Sequence, residues 1–348
     1  VYISATRSET AQVPVATQIN VIDAEEIRLS GASTLTEVLR QQGGIQIQDT
    51  DGSGSRNVSV SMRGFAANAS NNILILVDGR KLNNPSLSGP ALNTVALKDI
   101  ERVEIIEGSA GVLYGDQAVG GVINVVLRKA KAGEFNGSVS AQRGSYELEN
   151  YTANLNQAFQ NGLSYNLSAQ KRLANNYRDN NNSEATNVLG NLGFNFDAGR
   201  VFVEQQKIND DLRIPGALLL SEAAADPHQS LKPNDFSNQD TDIKRAGGEI
   251  SFLKNWKLLG EYSDRDESGY ALFDDYVKTD GYYPYVSAYD MRVKNITPRI
   301  VGNIATAAGN TIVTVGYDQV DADYKTKDGY TNISQAQDAV YAQVIYPI

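Results

Sequence analysis

Carboxylates in polar segments are the side chains of this sequence with the greatest capacity for chemistry. Oxygen atoms from several neighbouring acidic loops can together bind a calcium ion. Five aspartates fall on or near successive polar segments and form a candidate structural calcium site: Asp179, Asp210, Asp211, Asp240 and Asp242. Their spacing is not diagnostic, so plain solvation of acidic loops is the alternative interpretation.

Groups for covalent or acid–base catalysis are scarce. The single histidine, His228, follows Pro227 in a long polar segment, and the chain has no cysteine. A Ser-His-Asp triad would also need a motif that presents the nucleophile, which the sequence lacks. The glycines between Gly108 and Gly121 are not followed by Gly-Lys-Ser/Thr, and Glu107 before them would repel a phosphate. We therefore expect no enzyme activity and no required cofactor.

The composition favours neither a nucleic-acid-binding protein nor a helical membrane protein. The 348 residues carry 31 Lys and Arg against 41 Asp and Glu, a formal charge of -10, whereas phosphate binding needs a basic surface. No run of about 18 apolar residues occurs, so a membrane location would require strands. The 18 tyrosines against one tryptophan suit a membrane interface, because tyrosine joins an apolar ring to a polar tip.

Residues 13–132 predict a compact α+β unit. Asp23 and Thr34 are each followed three residues later by a glutamate, which is the spacing of a capping box and predicts two short helices. The run Ile73–Val77 is apolar throughout and too short for most helices. It therefore predicts a buried strand that ends at the turn Asp78-Gly79.

From about residue 135 onward, polar and apolar residues alternate with the period of a strand. In residues 163–170, Leu, Tyr or Ala alternates with Ser, Asn or Gln. A soluble sandwich would turn the apolar face inward, whereas a membrane barrel turns it towards lipid. Short connections such as Asn161-Gly162 alternate with much longer ones, an inequality that is typical of outer-membrane barrels. The long connections are predicted near residues 174–185, 210–238, 266–284 and 323–334.

Several short motifs follow one another in the first 130 residues. They are Ser61-Met62-Arg63-Gly64-Phe65, Ile75-Leu76-Val77-Asp78-Gly79-Arg80, Ile100-Glu101-Arg102-Val103-Glu104-Ile105, and a glycine-rich stretch that includes Leu113-Tyr114-Gly115 and Gly121-Val122-Ile123-Asn124. In this order they resemble the plug domain of TonB-dependent outer-membrane receptors. The resemblance assigns structural roles in the plug to Arg63, Gly64, Asp78, Gly79, Arg102, Glu104, Gly108, Tyr114, Gly115, Gly121 and Asn124. At Glu107 many members carry Arg or Lys, so a salt bridge from that position to the barrel is in question.

The resemblance implies an α+β plug domain inside a transmembrane antiparallel β-barrel, which has 22 strands in the family. About ten strands fit between residues 135 and 346, too few to enclose a plug of about 130 residues, because the width of a barrel grows with its strand number. The implied domains are an N-terminal segment at residues 1–8, the plug at residues 9–132 and the N-terminal portion of the barrel at residues 133–348. We prefer this interpretation, the first part of a longer receptor, to a complete small barrel.

The same resemblance implies two sets of binding residues. The first residues resemble the Ton box, an extended segment that can add as a strand to the partner TonB, although an ordinary first strand of the plug is the alternative. The implied TonB-binding residues are Val1, Tyr2, Ile3, Ser4 and Ala5. The expected cargo-binding residues are Phe65, Asn68, Ser70, Asn71, Asn72, Asn83, Asn84, Ser86, Tyr282, Tyr283 and Tyr285. For the tyrosines, an interface girdle is an equal alternative.

The implied function is TonB-dependent active transport of a scarce nutrient chelate across the Gram-negative outer membrane. A ferric siderophore is the first expectation for the cargo, with cobalamin or haem as alternatives, and the single histidine disfavours haem. A passive porin and a soluble β-rich binding module are the other interpretations. The expected partners are TonB, a metal chelate or macrocycle, and outer-membrane lipid, without nucleic acid.

Overall fold

The protein consists of a plug, residues 18–128, followed by a wall of long strands, residues 133–346. The computed structural model describes residues 2–3, 10–11, 18–49, 58–64, 72–83, 89–90, 92–108, 114, 116–128, 133–278, 281–307 and 309–346. An α+β unit followed by a strand-rich portion confirms the predicted fold class.

The described part of the plug includes two small sheets and two short α-helices. Its strands and helices, together with a short N-terminal strand pair, are β1 (Tyr2–Ile3), β2 (Thr10–Ala11), β3 (Ile19–Asp23), α1 (Ala24–Leu29), α2 (Leu35–Arg40), β4 (Ile45–Asp49), β5 (Val58–Met62), β6 (Ile73–Val77), β7 (Arg80–Lys81), β8 (Ile100–Glu107) and β9 (Gly121–Leu127). The main sheet has the order β3-β8-β9-β6-β7, with β6 parallel to β9 and the other neighbours antiparallel. β4 and β5 form a separate antiparallel pair.

Both predicted helices begin at their capping residues. Asp23 accepts hydrogen bonds from the N–H groups of Glu25 and Glu26, and the Glu26 carboxylate accepts one from the Asp23 N–H at 3.1 Å. Thr34 accepts a hydrogen bond from the Glu37 N–H at 3.2 Å. These bonds satisfy N–H groups that have no partner within a helix. None of the helices in the described ranges has the length and hydropathy to cross a membrane.

The core of the plug lies between its main sheet and its helices. All five residues of β6 are buried, which confirms the predicted buried strand. Ile75 and Ile123 are 0% exposed, and they pack in one cluster with Leu39 of α2. Burying one such side chain stabilises the fold by about 1.5–3 kcal/mol.

The wall is one antiparallel sheet. Its strands are β10 (Phe135–Gly144), β11 (Leu148–Ala158), β12 (Leu163–Ala174), β13 (Ser183–Phe196), β14 (Gly199–Arg213), β15 (Phe236–Leu253), β16 (Trp256–Lys278), β17 (Gly281–Ile296), β18 (Arg299–Thr306), β19 (Gly309–Thr326) and β20 (Asn332–Ile345). β17 and β18 are two parts of one strand, because they continue a single register against β16 and against β19. The break falls at Thr297-Pro298, where proline has no N–H for the ladder. The eleven assigned strands thus count as ten, which confirms the prediction.

The two faces of the wall differ in polarity. On β12, Ser164 and Ser168 are 7% and 8% exposed and face the plug, whereas Leu163 and Leu167 are 43% and 49% exposed on the opposite face. A polar face towards the interior and an apolar face outside are the arrangement of a membrane barrel, and the reverse of a soluble sandwich.

Two of the four predicted long connections are strands instead of loops. β16 and β17 remain paired through most of residues 266–284, and β19 and β20 are joined by residues 327–331 alone. In the sequence of these segments polar residues occupy successive positions, so the alternation that predicts a strand is lost while the main-chain ladder continues. The connections at residues 175–182 and 214–235 are loops, as predicted, and the second contains helix α3 (Leu220–Ala225).

Candidate functional site

The connections between strands are short at one end of the wall and long at the other. The direction of the plug strands can be described relative to these two ends. Two-residue connections at Asp197-Ala198 and Lys254-Asn255 mark one end, here called the tight-turn end. The loops at residues 175–182 and 214–235 lie at the opposite end, the long-loop end. This difference in connection length between the two ends is the one predicted from the sequence.

The strands β6 and β9 of the plug run towards the tight-turn end. Asp78, after β6, and Leu127, the last residue of β9, line a cavity of about 120 Å³ together with Ser164 and Arg200 of the wall. Ser164 and Arg200 lie one residue after the starts of β12 and β14, next to tight turns. The beginnings of β6 and β9 therefore point towards the long-loop end.

Two of the plug motifs meet at the end that faces the long loops. The Gly120 N–H donates to the Asn72 carbonyl at 2.8 Å, and the Gly108 N–H donates to the Gly120 carbonyl at 3.3 Å. Arg63 has a φ of 55°, and its Nη1 atom lies 3.4 Å from where a Cβ would stand at Gly108. Arg63, Asn72, Gly108 and Gly120 thus lie together at the long-loop end of the plug.

The central motif residues have structural roles in the plug. Glu104 is 0% exposed and accepts hydrogen bonds from Arg102 Nε at 2.8 Å and Asn124 Nδ2 at 3.2 Å, partners that a buried carboxylate needs. A Cβ at Gly121 would stand 2.6 Å from the Ile106 carbonyl oxygen, so β8 and β9 could not pair as closely with a larger residue.

The Asp78-Gly79 turn closes the opposite end of the sheet. Asp78 has a φ of 50° and Gly79 one of 83°. The Asp78 carboxylate accepts a hydrogen bond from the Leu127 N–H at 2.8 Å, which ties the turn to the end of β9. Of the remaining motif residues, Gly64 has a φ of 80° and Tyr114 is buried, while Gly115 lies outside the described residues.

Most of the predicted cargo-binding residues lie outside the described residues. These are Phe65, Asn68, Ser70, Asn71, Asn84 and Ser86. For Tyr282 and Tyr283 the structure describes the strand but not the side chain. Asn72 lies at the long-loop end of the plug, and Tyr285, 52% exposed, stacks on Phe273 with ring centroids 6.1 Å apart. At Asn72 and Tyr285, cargo binding stays a prediction.

Asn83 is a correction to the predicted cargo surface. Its side chain is 8% exposed, accepts a hydrogen bond from the Ile75 N–H at 2.7 Å and donates one to the Ile73 carbonyl at 2.8 Å. The amide thereby pairs with the edge of β6 as a neighbouring strand would. The sequence shows a polar side chain near a turn, but not that a strand edge lies against it.

The implied TonB-binding residues are described only in part. Val1, Ser4 and Ala5 lie outside the described residues. The main chain of Tyr2 and Ile3 pairs with residues 10–11 as a short antiparallel ladder. This segment is thus extended, as strand addition to a partner would require.

The five aspartates of the candidate calcium site do not converge. Asp210 is 2% exposed on the inner face of β14, whereas its neighbour Asp211 is exposed on the outer face, because successive side chains of a strand point in opposite directions. Asp240 and Asp242 lie on β15 beside Asn209 and Gln205 of β14, and Asp179 lies in the loop 175–182. Among the described residues no group of three or more acidic or histidine side chains is placed to hold a metal ion.

One segment of the plug, residues 92–99, is hydrogen-bonded to four successive strands of the wall. The Asp99 carboxylate accepts from Asn154 Nδ2 on β11 and from the Ser168 hydroxyl on β12, both at 2.6 Å. The Thr94 carbonyl accepts from Asn187 Nδ2 on β13 at 2.6 Å and from Gln206 Nε2 on β14 at 2.8 Å. We call residues 92–99 the anchor segment.

The opposite edge of the plug, residues 80–83, meets the wall differently, and we call it the β7 edge. Arg80 is 8% exposed, and its Nε atom has no hydrogen-bond partner. The nearby wall carboxylates pair with Arg245 instead, at 2.8 and 2.9 Å from Glu261 and at 2.7 Å from Glu204. The Leu82 carbonyl accepts a long 3.5 Å bond from Arg265 of β16.

Burial shifts the pKa values of a charged group on each side of the plug. Burial raises the pKa of the Asp99 carboxyl, although Ser168 and Asn154 act in the opposite direction. Burial, together with the positive charges of Arg245 and Arg265, lowers the pKa of Arg80 to about 10. Both shifts mean that the charged form is less stable in place than it is in water.

Two loops at the long-loop end are fastened together by residues that sequence reasoning missed. Arg178 donates to the main-chain oxygens of Pro215, Gly216 and Gln229, and the rings of Tyr177 and His228 contact each other at a tilt of 33°, with centroids 4.1 Å apart. These acceptors are main-chain carbonyls 37 to 51 residues away, for which the sequence carries no signal.

Comparisons with known proteins agree with this architecture. Residues 11–122 match the TonB-dependent receptor plug domain. A vitamin B12 transporter BtuB of Vibrio vulnificus is 32% identical over 213 residues, which cover 61% of this chain and 33% of that protein. The unliganded ferric citrate transporter FecA superposes with a TM-score of 0.75 and 20% identity, over 95% of this chain and 52% of the other. FpvA of P. aeruginosa bound to a heterologous pyoverdine superposes with a TM-score of 0.74 and 17% identity, over 99% of this chain and 50% of the other.

The chain spans about a third of the length of the curated relative and about half of the length of the solved receptors. The domain match, the relative and the shared fold point to one family. Residues 11–122 therefore match the plug domain of TonB-dependent receptors, and the chain is similar to such receptors in the order of a plug domain followed by part of a β-barrel.

Proposed function

We propose that the receptor to which this chain contributes imports a scarce metal chelate across the Gram-negative outer membrane, driven by TonB. The observation that carries the proposal is the contact between plug and wall. It consists of polar side chains on the inner face of the barrel and main-chain or charged groups of the plug. Hydrated polar contacts can be exchanged for water, so force on the plug can rearrange them without exposing an apolar core. A passive porin needs an open lumen, which such a plug would obstruct.

For the cargo we propose a ferric siderophore. The inner face at the long-loop end offers aromatic rings, with Tyr285 stacked on Phe273 and Tyr289 on Tyr324, and such rings suit the flat apolar faces of a chelate or macrocycle. Cobalamin is the second candidate, because the BtuB relative is named as a vitamin B12 transporter.

For energy coupling we propose that residues 1–5 bind TonB by strand addition. Main-chain hydrogen bonds supply the affinity in this mode of recognition, and side chains contribute little. The extended main chain of Tyr2 and Ile3 supports the proposal. The bound cargo must favour one arrangement of the plug over another, since a ligand shifts an equilibrium only through differential affinity.

The test uses the full-length receptor in cells that lack other receptors of this kind. Uptake of ⁵⁵Fe is measured with a panel of siderophores, and uptake of labelled cobalamin is measured in parallel. Replacement of residues 1–5 by a Gly-Ser segment should leave binding intact and abolish uptake, whereas the same replacement at residues 327–331 should leave energy coupling intact. Equal uptake in cells without TonB would overturn the proposal in favour of a passive porin.

A further inference from the structure

We propose that Arg178 is a positioning residue for cargo binding. It holds the loops at residues 175–182 and 214–235 together as one preformed wall of the external entrance, and we call these two loops the loop pair. The inference rests on the proposed transport function and deepens it, because it names the residue that shapes the entrance before a cargo arrives. Arg178 acts through the loops and is assigned no contact with the cargo itself.

The guanidinium of Arg178 draws the two ends of the longer loop together. Its Nη1 atom donates to the Gly216 carbonyl, and its Nη2 atom donates to the Pro215 carbonyl at 3.4 Å. On the returning part of the same loop, the Gln229 carbonyl accepts from Nη2 at 2.8 Å and from Nε at 3.2 Å. A planar, permanently charged group with several fixed donors can hold such a set of oxygens, and a lysine ammonium lacks this fixed fork.

Asn180 fastens the base of the same loop. Its Nδ2 atom lies 3.2 Å from the Ile214 carbonyl oxygen, 2.5 Å from that of Lys232 and 3.0 Å from that of Asp235. The main chain of Asn180 has a φ of 50°, a conformation that asparagine adopts more readily than most residues. A local turn in the shorter loop thus places an amide among the carbonyls of the longer one.

The residues on either side of Arg178 contact the longer loop as well. The Asp179 N–H donates to the His228 carbonyl at 2.7 Å. The His228 Nδ1 atom lies 2.8 Å from the Tyr177 carbonyl oxygen, and the rings of these two residues are in contact. Each of residues 177–180 therefore contacts loop 214–235, through its main chain or its side chain.

The loop pair is also attached to its neighbours on both sides. On one side the Asn175 N–H donates to the Tyr146 carbonyl, in the turn between β10 and β11, at 2.9 Å. On the other side the Asp274 N–H of β16 donates to the Asp235 carboxylate at 2.7 Å. Both bonds involve main-chain groups, so they fix the path of the chain as well as the side chains on it.

Preformed loops lower the cost of cargo binding. In an outer-membrane barrel the longer loops lie outside the cell, so we expect a cargo from outside to meet the loop pair before it meets the plug. A loop that is ordered only on binding loses conformational freedom at that step, and each side chain immobilised in this way weakens binding. Because Arg178 fastens the loops during folding, cargo binding no longer includes this cost.

Hydrogen exchange of the purified full-length receptor, without cargo, tests the fastening. Arg178→Ala should speed exchange in both loops of the pair at once, while the paired main chain of β13 and β14 stays unchanged. Arg178→Lys should behave like Arg178→Ala, because it keeps the charge but not the fork of donors. Arg143→Ala is the matched control, since the Arg143 side chain is 77% exposed at the same end of the wall and pairs with Glu149. Unchanged exchange in Arg178→Ala, or a change confined to residues 175–182, would overturn the proposal.

TonB-dependent uptake tests the consequence for cargo binding. The rate is measured against the concentration of the ferric siderophore or cobalamin that the wild-type receptor takes up. Arg178→Ala should raise the half-saturating concentration about tenfold, the cost of ordering one or two side chains, and leave the maximal rate unchanged. Arg143→Ala should change neither value.

The two values separate positioning from misfolding, because a misfolded variant lowers the maximal rate. Freed loops without a rise in the half-saturating concentration, or a fall in the maximal rate alone, would contradict the positioning role. Absence of TonB-dependent uptake by the wild-type receptor would instead refute the proposed function, and the exchange measurement would still decide whether Arg178 fastens the loops.

Discussion

The plug and the wall place their apolar residues in opposite ways. Ile75 of the plug is 0% exposed inside its own core, whereas Leu167 of the wall is 49% exposed on the outer face. The plug is stabilised by apolar burial, and the wall by a continuous main-chain ladder from β10 to β20. Between them lies a contact of polar side chains. The fold of the plug and its contact with the wall therefore depend on different kinds of interaction.

The first prediction concerns the core of the plug, where the largest effect is expected. Ile75→Ala should destabilise the plug by about 2–5 kcal/mol, because it leaves a cavity in a fully packed site. Hydrogen exchange of the β6 and β9 amides in the purified full-length receptor measures the loss. Leu167→Ala on the outer face is the matched control and should leave these amides unchanged. An equal effect of the two substitutions would contradict the separation of core and wall.

The sequence predicted the strands whose polar and apolar pattern follows from which of their faces are buried, and the helices that begin with local capping bonds. The run Ile73–Val77 is apolar throughout because both faces of β6 are buried. Residues 163–170 alternate because one face of β12 meets the plug and the other lies outside. The capping pattern at Asp23 and Thr34 located both plug helices, since those bonds are local.

The sequence did not predict features that depend on distant partners. Residues 266–284 predict a loop because polar residues occupy successive positions, yet pairing between β16 and β17 keeps most of the described ones extended. Asn83 is predicted to lie on the cargo surface, but its hydrogen-bond partners lie on β6. The hydrogen bonds of Asp99 cross 55 and 69 residues, a separation at which composition and periodicity give no information.

The second prediction concerns the plug–wall contact, where an intermediate effect is expected. Asp99→Ala leaves the half-buried Asn154 and the buried Ser168 without this acceptor, and a buried group that loses its partner costs about 1–3 kcal/mol. The loss should appear as faster hydrogen exchange in residues 92–99, with β6 unchanged. Glu101→Gln, at an exposed position close by, is the control. Faster exchange throughout the plug would contradict an anchor that acts locally.

The contribution of Asp99 to the stability of the folded protein should depend on pH in a defined direction. The pKa of the Asp99 carboxyl is raised in place, so the folded protein binds this proton more tightly than the unfolded chain does. The stabilising contribution of the proton is fully present below the unfolded pKa of about 3.9 and is lost as the pH rises through the raised value. Asp99→Asn removes the titration. The melting temperature of wild type relative to Asp99→Asn should therefore fall as the pH rises, and a difference that rises with pH would contradict the shift.

The third prediction concerns the charged outer face of the wall, where the smallest effect is expected. Lys171 of β12 and Glu184 of β13 form an ion pair at 2.8 Å, with side chains 50% and 45% exposed. Exposed pairs of this kind contribute less than about 1 kcal/mol, and the main chain of Lys171 stays paired with that of Thr186 whatever its side chain. Lys171→Met should therefore shift the melting temperature of the purified receptor by only a small fraction of the shift that Asp99→Ala causes. A shift as large as that of Asp99→Ala would mean that side-chain charge, and not the main-chain ladder, holds the long strands together.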